Sequence, residues 1–314
     1  MNKDNPTYSV VIPMYNEQDV IFETIRRVKL VMVSMEEPYE LLFIDDGSED
    51  STCKTVKSYM KRDKSIRLIS LSRNFGHQAA ITAGIDYAFG DAVIIIDADL
   101  QDPPEVIPDM VALWKQGYEV VYGKRKSREG ENWFKELSAK CFYRLLQSMT
   151  DIDIPVDTGD FRLIDRKVCN TLKSLDERNR YVRGLVSWVG FKHIACEYER
   201  GARLAGETKY PLRKMMRLAI DGVVGFSYKP LRLAGWFGGV MCLCSIIVFS
   251  FSFIMWIFGR VNTGWVFVLP IIFFSQGIMM IGIGFAGEYI GRLLDEAKRR
   301  PIYIVREESG EEGD

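Results

Sequence analysis

The first 122 residues alternate between short apolar runs and longer amphipathic runs. Apolar runs of strand length lie at 8–13, 40–45, 66–71, 92–97 and 119–122, and runs with helical period lie between them at 18–35, 51–62, 78–89 and 106–116. Near-continuous apolar strands that alternate with helices are typical of a largely parallel sheet with both faces covered. The pattern therefore predicts an α/β fold for this part of the chain.

A different pattern begins at Leu233. The 55 residues from Leu233 to Gly287 include one charged side chain, that of Arg260. Uncharged runs of 27 residues (233–259) and 23 residues (265–287) lie on either side of a short polar turn, and each exceeds the ~20 residues that a helix needs to cross a hydrocarbon core. Two buried core helices are the alternative, although soluble domains rarely contain two such runs. We predict a two-helix transmembrane hairpin.

Basic residues flank this hairpin on one side of the membrane. They are Arg213, Lys214, Arg217, Lys229 and Arg232 before the first span, and Arg292, Lys298, Arg299 and Arg300 after the second. Because lysine and arginine are enriched in cytoplasmic loops, we expect an inner (plasma) membrane protein with its body and both termini in the cytoplasm. The predicted parts are a body (1–209), a juxtamembrane segment (210–232), two spans (233–291) and a tail (292–314).

The juxtamembrane segment 210–232 mixes apolar residues with cations, as in an amphipathic helix that lies among lipid headgroups. A helix packed on the body is the alternative. Within the spans, the spacings Gly235-x-x-x-Gly239 and Gly287-x-x-x-Gly291 let helices approach closely, inside the hairpin or in a homo-oligomer.

Charge and cysteine spacing exclude several classes of protein. The 41 Lys+Arg balance 42 Asp+Glu, for a net charge of −1, which argues against a strongly basic nucleic-acid binder. The six cysteines lack the spacing of a zinc site or a disulfide framework. Neither a P-loop nor a G-x-S-x-G motif is present, and the two histidines, His77 and His193, give little support for a catalytic triad or a zinc hydrolase.

Polar residues follow the ends of four predicted strands. They are Asn16 and Glu17, Asp45 and Asp46, Arg73 and Asn74, and Asp97 and Asp99. In open α/β sheets, ligands bind outside the carboxyl ends of the strands. These segments, remote from one another in sequence, are therefore expected to form one site at one edge of the sheet.

The most specific local pattern is the D-x-D formed by Asp97 and Asp99 directly after an apolar strand. Backbone pleating places alternate side chains on one side, although the strand is expected to end between them. Two carboxylates at a strand tip suit Mg²⁺ or Mn²⁺, completed by water and substrate phosphate. Acidic strand ends without a metal are also common, so the motif alone leaves both interpretations open.

Five ordered motifs carry a resemblance to a known family. They are V-I-P-M-Y-N-E (11–17), D-D-G-S (45–48), S-R-N-F-G (72–76), D-A-D-L-Q-D-P-P (97–104) and D-T-G-D-F-R (157–162). Together they resemble family 2 glycosyltransferases of the GT-A fold, over about residues 8 to 220. More narrowly, the chain is similar to the polyprenyl-phosphate glycosyltransferases, which include bactoprenol glucosyltransferases and dolichol-phosphate mannose synthases. The Gln-x-x-Arg-Trp motif of processive synthases is absent, which argues against polymerisation.

The resemblance implies roles for the donor side of the site. The residues that would bind the nucleotide are Pro13, Tyr15, Asn16, Glu17, Asp46 and Ser48, and those that would hold Mg²⁺ or Mn²⁺ on the diphosphate are Asp97, Asp99 and Gln101. A helix cap is the alternative role for Asp46, because Asp-Gly-Ser at a strand-to-helix turn has good capping chemistry. For Arg73 and Asn74, an ordinary turn and ligand contact both stay open.

On the acceptor side, the resemblance makes Asp157 the family's candidate base. A phosphate monoester has a second pKa near 6 and is already largely ionised at neutral pH, so it needs little help from a base. Asp157 would then orient the acceptor or stabilise positive charge on the sugar; a loop carboxylate that accepts backbone hydrogen bonds is the alternative. The cations expected to bind the lipid phosphate are Arg125, Arg200, Arg203 and Lys209, with binding to membrane headgroups as their alternative role.

The implied reaction is an inverting transfer of a sugar to undecaprenyl phosphate, with glucose from UDP-glucose as the expected donor. Two alternatives stay open at this point. One is a mannose synthase that uses GDP-mannose, and the other is a non-catalytic membrane protein that binds a sugar nucleotide.

Overall fold

The computed structural model describes residues 6–125, 158–178, 180–199, 229–258 and 265–309. The strands in this part are β1 (Tyr8–Met14), β2 (Tyr39–Asp45), β3 (Ile66–Leu71), β4 (Ala92–Ile95), β5 (Val120–Arg125), β6 (Thr158–Asp165), β7 (His193–Tyr198) and β8 (Val305–Ser309). The helices are α1 (Ile21–Ser34), α2 (Thr52–Met60), α3 (His77–Tyr87), α4 (Ile107–Lys115), α5 (Arg166–Lys173), α6 (Val182–Trp188), α7 (Lys229–Ile257) and α8 (Trp265–Lys298).

The strands form one mixed, mostly parallel sheet in the order β7-β5-β6-β4-β1-β2-β3-β8. β1 pairs in parallel with β2 and β4, β2 with β3, and β5 with β7. β6 lies antiparallel between β4 and β5, and β8 is antiparallel to β3. Every described strand except β6 and β8 therefore runs in the same direction. The predicted α/β class is confirmed, and each predicted strand and helix of the first 122 residues is present with small shifts at its ends.

Helices cover both faces of the sheet because neighbouring residues of each strand point to opposite sides. Val10 and Ile12 of β1 pack in the apolar layer that includes α1, α2 and α4. Val11, between them, packs in the layer that includes α3, α5 and α6. At Gly84 of α3, a Cβ atom would lie 2.1 Å from Val11 Cγ1, so only glycine lets this helix pack directly on the central strand.

Part of the predicted tail belongs to the sheet of the body. β8 pairs with β3, the amide of Ser72 donates to the carbonyl of Ile304 at 2.8 Å, and Glu307 forms an ion pair with Lys57 at 2.7 Å. The edge of β3 would otherwise present unpaired backbone groups. The chain therefore returns from α8 to the body and closes this edge of the sheet.

The apolar C-terminal part forms two long helices, α7 and α8, that pack against each other. Among the described residues, one segment, Phe274–Lys298, is long and apolar enough to cross a membrane, whereas the apolar segment Trp236–Val248 of α7 is shorter. The two-span hairpin and its orientation therefore stay predictions. Residues 210–228 of the predicted juxtamembrane segment lie outside the described residues.

Candidate active site

The candidate site lies at the sheet edge where the parallel strands end and β6 begins. Because β6 is antiparallel to β4, with Ile95 opposite Arg162, extending this register by two residues sets Asp97 opposite Asp160. The carboxyl ends of β1 and β2 lie at the same edge, since both strands run parallel to β4. Polar residues that follow β1, β2 and β4 therefore lie at this edge together with Asp160 near the start of β6, as the strand-end pattern predicts.

Two loops at the ends of β1 and β2 are joined by hydrogen bonds. The amide of Asn16 donates to Ser48 Oγ at 3.0 Å, Asn16 Oδ1 accepts from the amide of Glu49 at 2.9 Å, and the amide of Glu17 donates to Thr52 Oγ1 at 2.9 Å. Asn16 has a φ of 53°, a left-handed conformation that asparagine tolerates better than most residues. The structure therefore brings Asn16, Glu17 and Ser48 together, as the nucleotide-binding prediction requires.

The remaining predicted nucleotide residues occupy different environments. Tyr15 is exposed beside this pair of loops, while Pro13 is buried within β1. Asp46 is buried, and its two carboxylate oxygens accept the backbone N–H groups of Phe75 at 2.7 Å and Gly76 at 2.9 Å. Burial raises the pKa of Asp46, and these hydrogen bonds oppose that rise. Asp46 therefore fixes the loop before α3, rather than capping the helix that follows its own strand.

The turn after β4 carries the D-x-D motif. The strand ends at Ile95, two residues earlier than predicted, so Asp97 and Asp99 both lie in the turn. Thr24 of α1 donates from Oγ1 to the carbonyl of Ala98 at 2.7 Å, and the amide of Gln101 donates to Asp99 Oδ1 at 3.1 Å. Leu100 has a φ of 55°, a strained conformation for a leucine that is characteristic of functional turns.

The electrostatics of this turn fit a divalent cation. Burial raises the pKa of Asp97 to about 6; His77 opposes this rise, and the carboxylates of Asp160 and Asp99 add to it. A cation between Asp97 and Asp99 would relieve this repulsion. Among the described residues, no three His, Cys, Asp or Glu side chains form a complete metal cage. Two carboxylates completed by water and substrate phosphate are nevertheless the usual arrangement for Mg²⁺, so the residues present fit the metal.

A cluster of charged side chains around buried Asp160, behind the turn, was not anticipated from the sequence. His77 Nε2 lies 3.1 Å from Asp160 Oδ2 and 3.4 Å from Asp97 Oδ1, and Asp160 is bound by Arg183 of α6. Burial disfavours a charged imidazole, but the two carboxylates outweigh it and raise the pKa of His77 to about 9. Burial likewise opposes ionisation of Asp160, yet Arg183 and His77 hold the pKa of that carboxyl well below its usual range.

Some signal for this cluster was present in the motifs. Asp160 is the second aspartate of D-T-G-D-F-R, and His77 directly follows S-R-N-F-G. The sequence gives no comparable signal for Arg183, which reaches the site only because α6 packs beside α3.

A second group surrounds Arg125 at the end of β5. Arg125 Nη2 lies 3.5 Å from Asp102 Oδ1, its Nε donates to Tyr198 Oη at 3.4 Å, and Tyr198 in turn donates to Asp102. The side chain of Arg125 is 30% exposed, so its guanidinium, held by Asp102 and Tyr198, stays partly accessible. The other predicted acceptor residues, Asp157, Arg200, Arg203 and Lys209, lie outside the described residues.

Comparison with known proteins places the chain in a family. The family model for glycosyl transferase family 2 matches residues 9–173. The glycosyltransferase YkcC of Bacillus subtilis, whose own function is uncharacterized, is 53% identical over 304 residues, which are 96% of this chain and 94% of the relative.

Two further relatives carry a more specific name. The prophage bactoprenol glucosyl transferase homolog of Escherichia coli is 39% identical, over 95% of this chain and 98% of the relative. The bactoprenol glucosyl transferase of Shigella phage SfV is 38% identical, over 96% of this chain and 98% of the relative.

Among solved structures, glucosyl-3-phosphoglycerate synthase from Mycobacterium tuberculosis matches with a TM-score of 0.47 and 19% identity, over 70% of this chain and 78% of that one. That likeness is too distant to bear on the chemistry of the site. The match to the family model and the extent of the sequence relationship are sufficient on their own, and they confirm the resemblance carried by the five motifs: this chain belongs to glycosyl transferase family 2.

Proposed function

We propose that this chain transfers glucose from UDP-glucose to undecaprenyl phosphate, with inversion, at the cytoplasmic face of the membrane. The observation that carries this proposal is the extent of the match to the two relatives named bactoprenol glucosyl transferases, which spans 95% and 96% of this chain. The match therefore includes the apolar helices α7 and α8 as well as the body. If only the sugar-nucleotide-binding domain were related, the match would end near β7, before the apolar helices begin.

The donor end of the site supports a nucleotide ligand. The linked loops of Asn16 and Ser48 form a rim with exposed Tyr15 beside it. In the proposal, Tyr15, Asn16, Glu17 and Ser48 bind the base and ribose, with Pro13 shaping the floor. Asp46 contributes by holding the loop at Phe75 and Gly76 in place.

Asp97 and Asp99 would hold Mg²⁺ or Mn²⁺ against the diphosphate, with Gln101 next to them. When bound, the metal neutralises negative charge that develops on the departing nucleoside diphosphate. The protein holds this turn before the donor arrives: Thr24 fixes its backbone at Ala98, and the Gln101 amide orients the Asp99 carboxylate. Little rearrangement is then needed in the transition state.

The acceptor needs positive charge more than it needs a base. A lipid phosphate is largely ionised at neutral pH, so its oxygen is already a nucleophile for the anomeric carbon. Arg125, fixed by Asp102 and Tyr198, is one described cation that can bind a phosphate; Arg200, Arg203 and Lys209 are proposed to join it. Asp157 is proposed to orient the acceptor. Attack from the face opposite the leaving group is a single displacement, so the anomeric configuration inverts.

The membrane assignment follows from the acceptor and from the helices. A polyprenyl chain stays in the bilayer, so the body must be held near the membrane surface. Apolar side chains such as Trp236, Ile246 and Ile257 on α7 and Leu293 on α8 are exposed in the described chain, as is typical of helices that face lipid. We propose that both helices span the membrane and that the basic residues flanking them keep the body in the cytoplasm.

The experiment that tests this function uses the full chain purified in detergent, undecaprenyl phosphate and Mn²⁺. UDP-glucose is compared with UDP-galactose, UDP-N-acetylglucosamine and GDP-mannose, and the lipid product is identified by mass spectrometry and its anomeric configuration by NMR. We expect a β-linked glucosyl lipid phosphate from α-linked UDP-glucose, and no product after chelation of the metal. A mannosyl product, a retained configuration or full activity without divalent metal would contradict the proposal.

A further inference from the structure

His77 occupies a position that the proposed reaction leaves without a role. Its Nε2 atom lies between two carboxylates, 3.1 Å from Asp160 Oδ2 and 3.4 Å from Asp97 Oδ1. Between two carboxylate oxygens an imidazole nitrogen interacts favourably only as a donor. His77 therefore connects the D-x-D turn to β6.

The Asp160 end of this connection is rigid. Asp160 is buried, and both of its carboxylate oxygens accept hydrogen bonds from Arg183, at 2.7 and 2.8 Å. A two-point guanidinium–carboxylate pair fixes direction as well as distance. Arg183 on α6, Asp160 on β6 and His77 on α3 thus form a chain of contacts that ends at Asp97.

The Asp97 end has one oxygen turned inward. Asp97 Oδ1 is buried and accepts no hydrogen bond of normal geometry within the described part of the chain, although the side chain as a whole is 33% exposed. The inward oxygen lies 3.4 Å from His77 Nε2, and the exposed area belongs to the other atoms of the side chain, among which Oδ2 is the polar one. A ligand approaching from the site would therefore meet Oδ2.

We infer that His77 is a positioning residue for Asp97: held by Asp160, it draws Oδ1 inward and thereby turns Oδ2 toward a divalent metal. The inference rests on the metal site of the proposed function. Carboxylate groups rotate easily about their last torsion, so an unsupported Asp97 would present its oxygens in many directions. Partners that fix a metal ligand in this way typically contribute 10- to 100-fold to metal affinity.

The test measures Mn²⁺ binding to the full chain in detergent without nucleotide, from the free Mn²⁺ signal in electron paramagnetic resonance. The variants are His77→Ala, His77→Gln and a matched control, His193→Gln, on β7. We expect His77→Ala to raise the dissociation constant by about 10- to 100-fold. Glutamine can place an uncharged N–H donor near the position of Nε2, so His77→Gln should recover affinity to within about 3-fold of the wild type. His193→Gln should bind Mn²⁺ like the wild type.

Two outcomes would overturn the inference. If His77 acted only as a positive charge that repels the metal, both His77→Ala and His77→Gln would bind Mn²⁺ more tightly. If His77 were merely structural, His77→Ala would bind Mn²⁺ unchanged. Should His77→Ala fail to fold in a thermal unfolding check, Arg183→Lys replaces it: this variant loses the two-point contact with Asp160, and unchanged Mn²⁺ affinity would again reject the inference.

Failure of the metal site itself is distinguishable. Asp97→Asn and Asp99→Asn remove the proposed ligands directly. If both bind Mn²⁺ as the wild type does, the metal site of the proposed function is wrong. If both lose Mn²⁺ while His77→Ala keeps it, the metal site stands and only the role of His77 is rejected.

Discussion

Arg183 and Asp160 form a two-point ion pair behind the candidate metal site, with Nε 2.7 Å from Oδ1 and Nη2 2.8 Å from Oδ2. The Asp160 side chain is only 5% exposed, so the pair is largely shielded from water. A buried carboxylate of this kind does two things at once: it compensates a cation in the interior and fixes the direction of the next side chain, His77.

Asp160→Asn should destabilise the protein because it removes the carboxylate that pairs with the Arg183 cation at two points. Breaking a buried pair typically costs about 3 kcal/mol or more, which corresponds to a fall of roughly 6–12 °C in unfolding temperature for a domain of this size. Differential scanning fluorimetry in detergent measures the change. The double variant Asp160→Asn/Arg183→Met should recover part of the loss, because it removes the uncompensated charge. Asp91→Asn, at an exposed aspartate, is the matched control; an equal effect there would contradict this explanation.

Asp99→Asn should nearly abolish transfer while leaving the fold intact. The amide keeps the shape of the side chain but removes the charge that a divalent cation needs, so we expect kcat/KM to fall by about 100-fold or more. Steady-state assays across a range of Mn²⁺ concentrations provide the measurement. Asp109→Asn, on the exposed side of α4, should keep wild-type kinetics. Activity of Asp99→Asn that is close to normal at low Mn²⁺ would show that Asp99 is not a ligand.

Gly47→Ala should weaken donor binding, because the added methyl group would collide with the loop at Arg73 and Asn74. Gly47 has a φ of 75°, and a Cβ atom there would lie 2.6 Å from the carbonyl carbon of Arg73 and 2.8 Å from the nitrogen of Asn74. The methyl group must displace this loop, which Asp46 otherwise holds, so we expect KM for UDP-glucose to rise by about 10-fold, which is 1.4 kcal/mol.

Gly117→Ala separates backbone strain from displacement of the loop. Gly117 also has a positive φ, 96°, but a Cβ atom there would meet nothing within 4 Å. Gly117→Ala should lose roughly 1–2 kcal/mol of stability from backbone strain and Gly47→Ala at least as much, whereas only Gly47→Ala should change KM for the donor. A rise in KM of the same size in Gly117→Ala would show that general destabilisation, not the loop, is responsible.

Arg203→Gln should weaken use of the lipid more than use of the nucleotide. A charged hydrogen bond to phosphate contributes about 1.5–3 kcal/mol, so KM for undecaprenyl phosphate should rise roughly 10- to 100-fold with little change in KM for UDP-glucose. Arg62→Gln, at an exposed arginine after α2, serves as the control. Kinetics for the lipid that match those of the control would reject Arg203 as an acceptor residue.

Much of the fold was readable from the chain because its physical causes are local. The alternation of apolar strands with helices predicted strands β1 to β5 and the helices between them. Asn16, Asp46 and Asp97 follow strands that run in the same direction, so the ends of these strands lie close together. The turn after β4 was less well predicted. The strand ends at Ile95, because the turn that Thr24 holds at Ala98 begins before the apolar run has ended.

The long-range contacts of the site were not readable in the same way. Asp160 and Asp97 face each other because β6 inserts antiparallel between β4 and β5, and no periodicity in the chain indicates that insertion. The return of the chain after α8 to form β8 on β3 had no signal either, since a strand of mostly charged residues at a sheet edge resembles an ordinary polar tail.

The sequence by itself thus determined the α/β class, the apolar C-terminal part, the D-x-D motif and the family, because each of these depends on the order of residues over short stretches. Only the tertiary structure decided that His77 lies between Asp97 and Asp160, that Arg183 fixes this group from another helix, and that Asp46 holds the loop before α3. Those contacts join segments that are remote along the chain, and they form only when the sheet register and the packing of α3 and α6 set the distances between them.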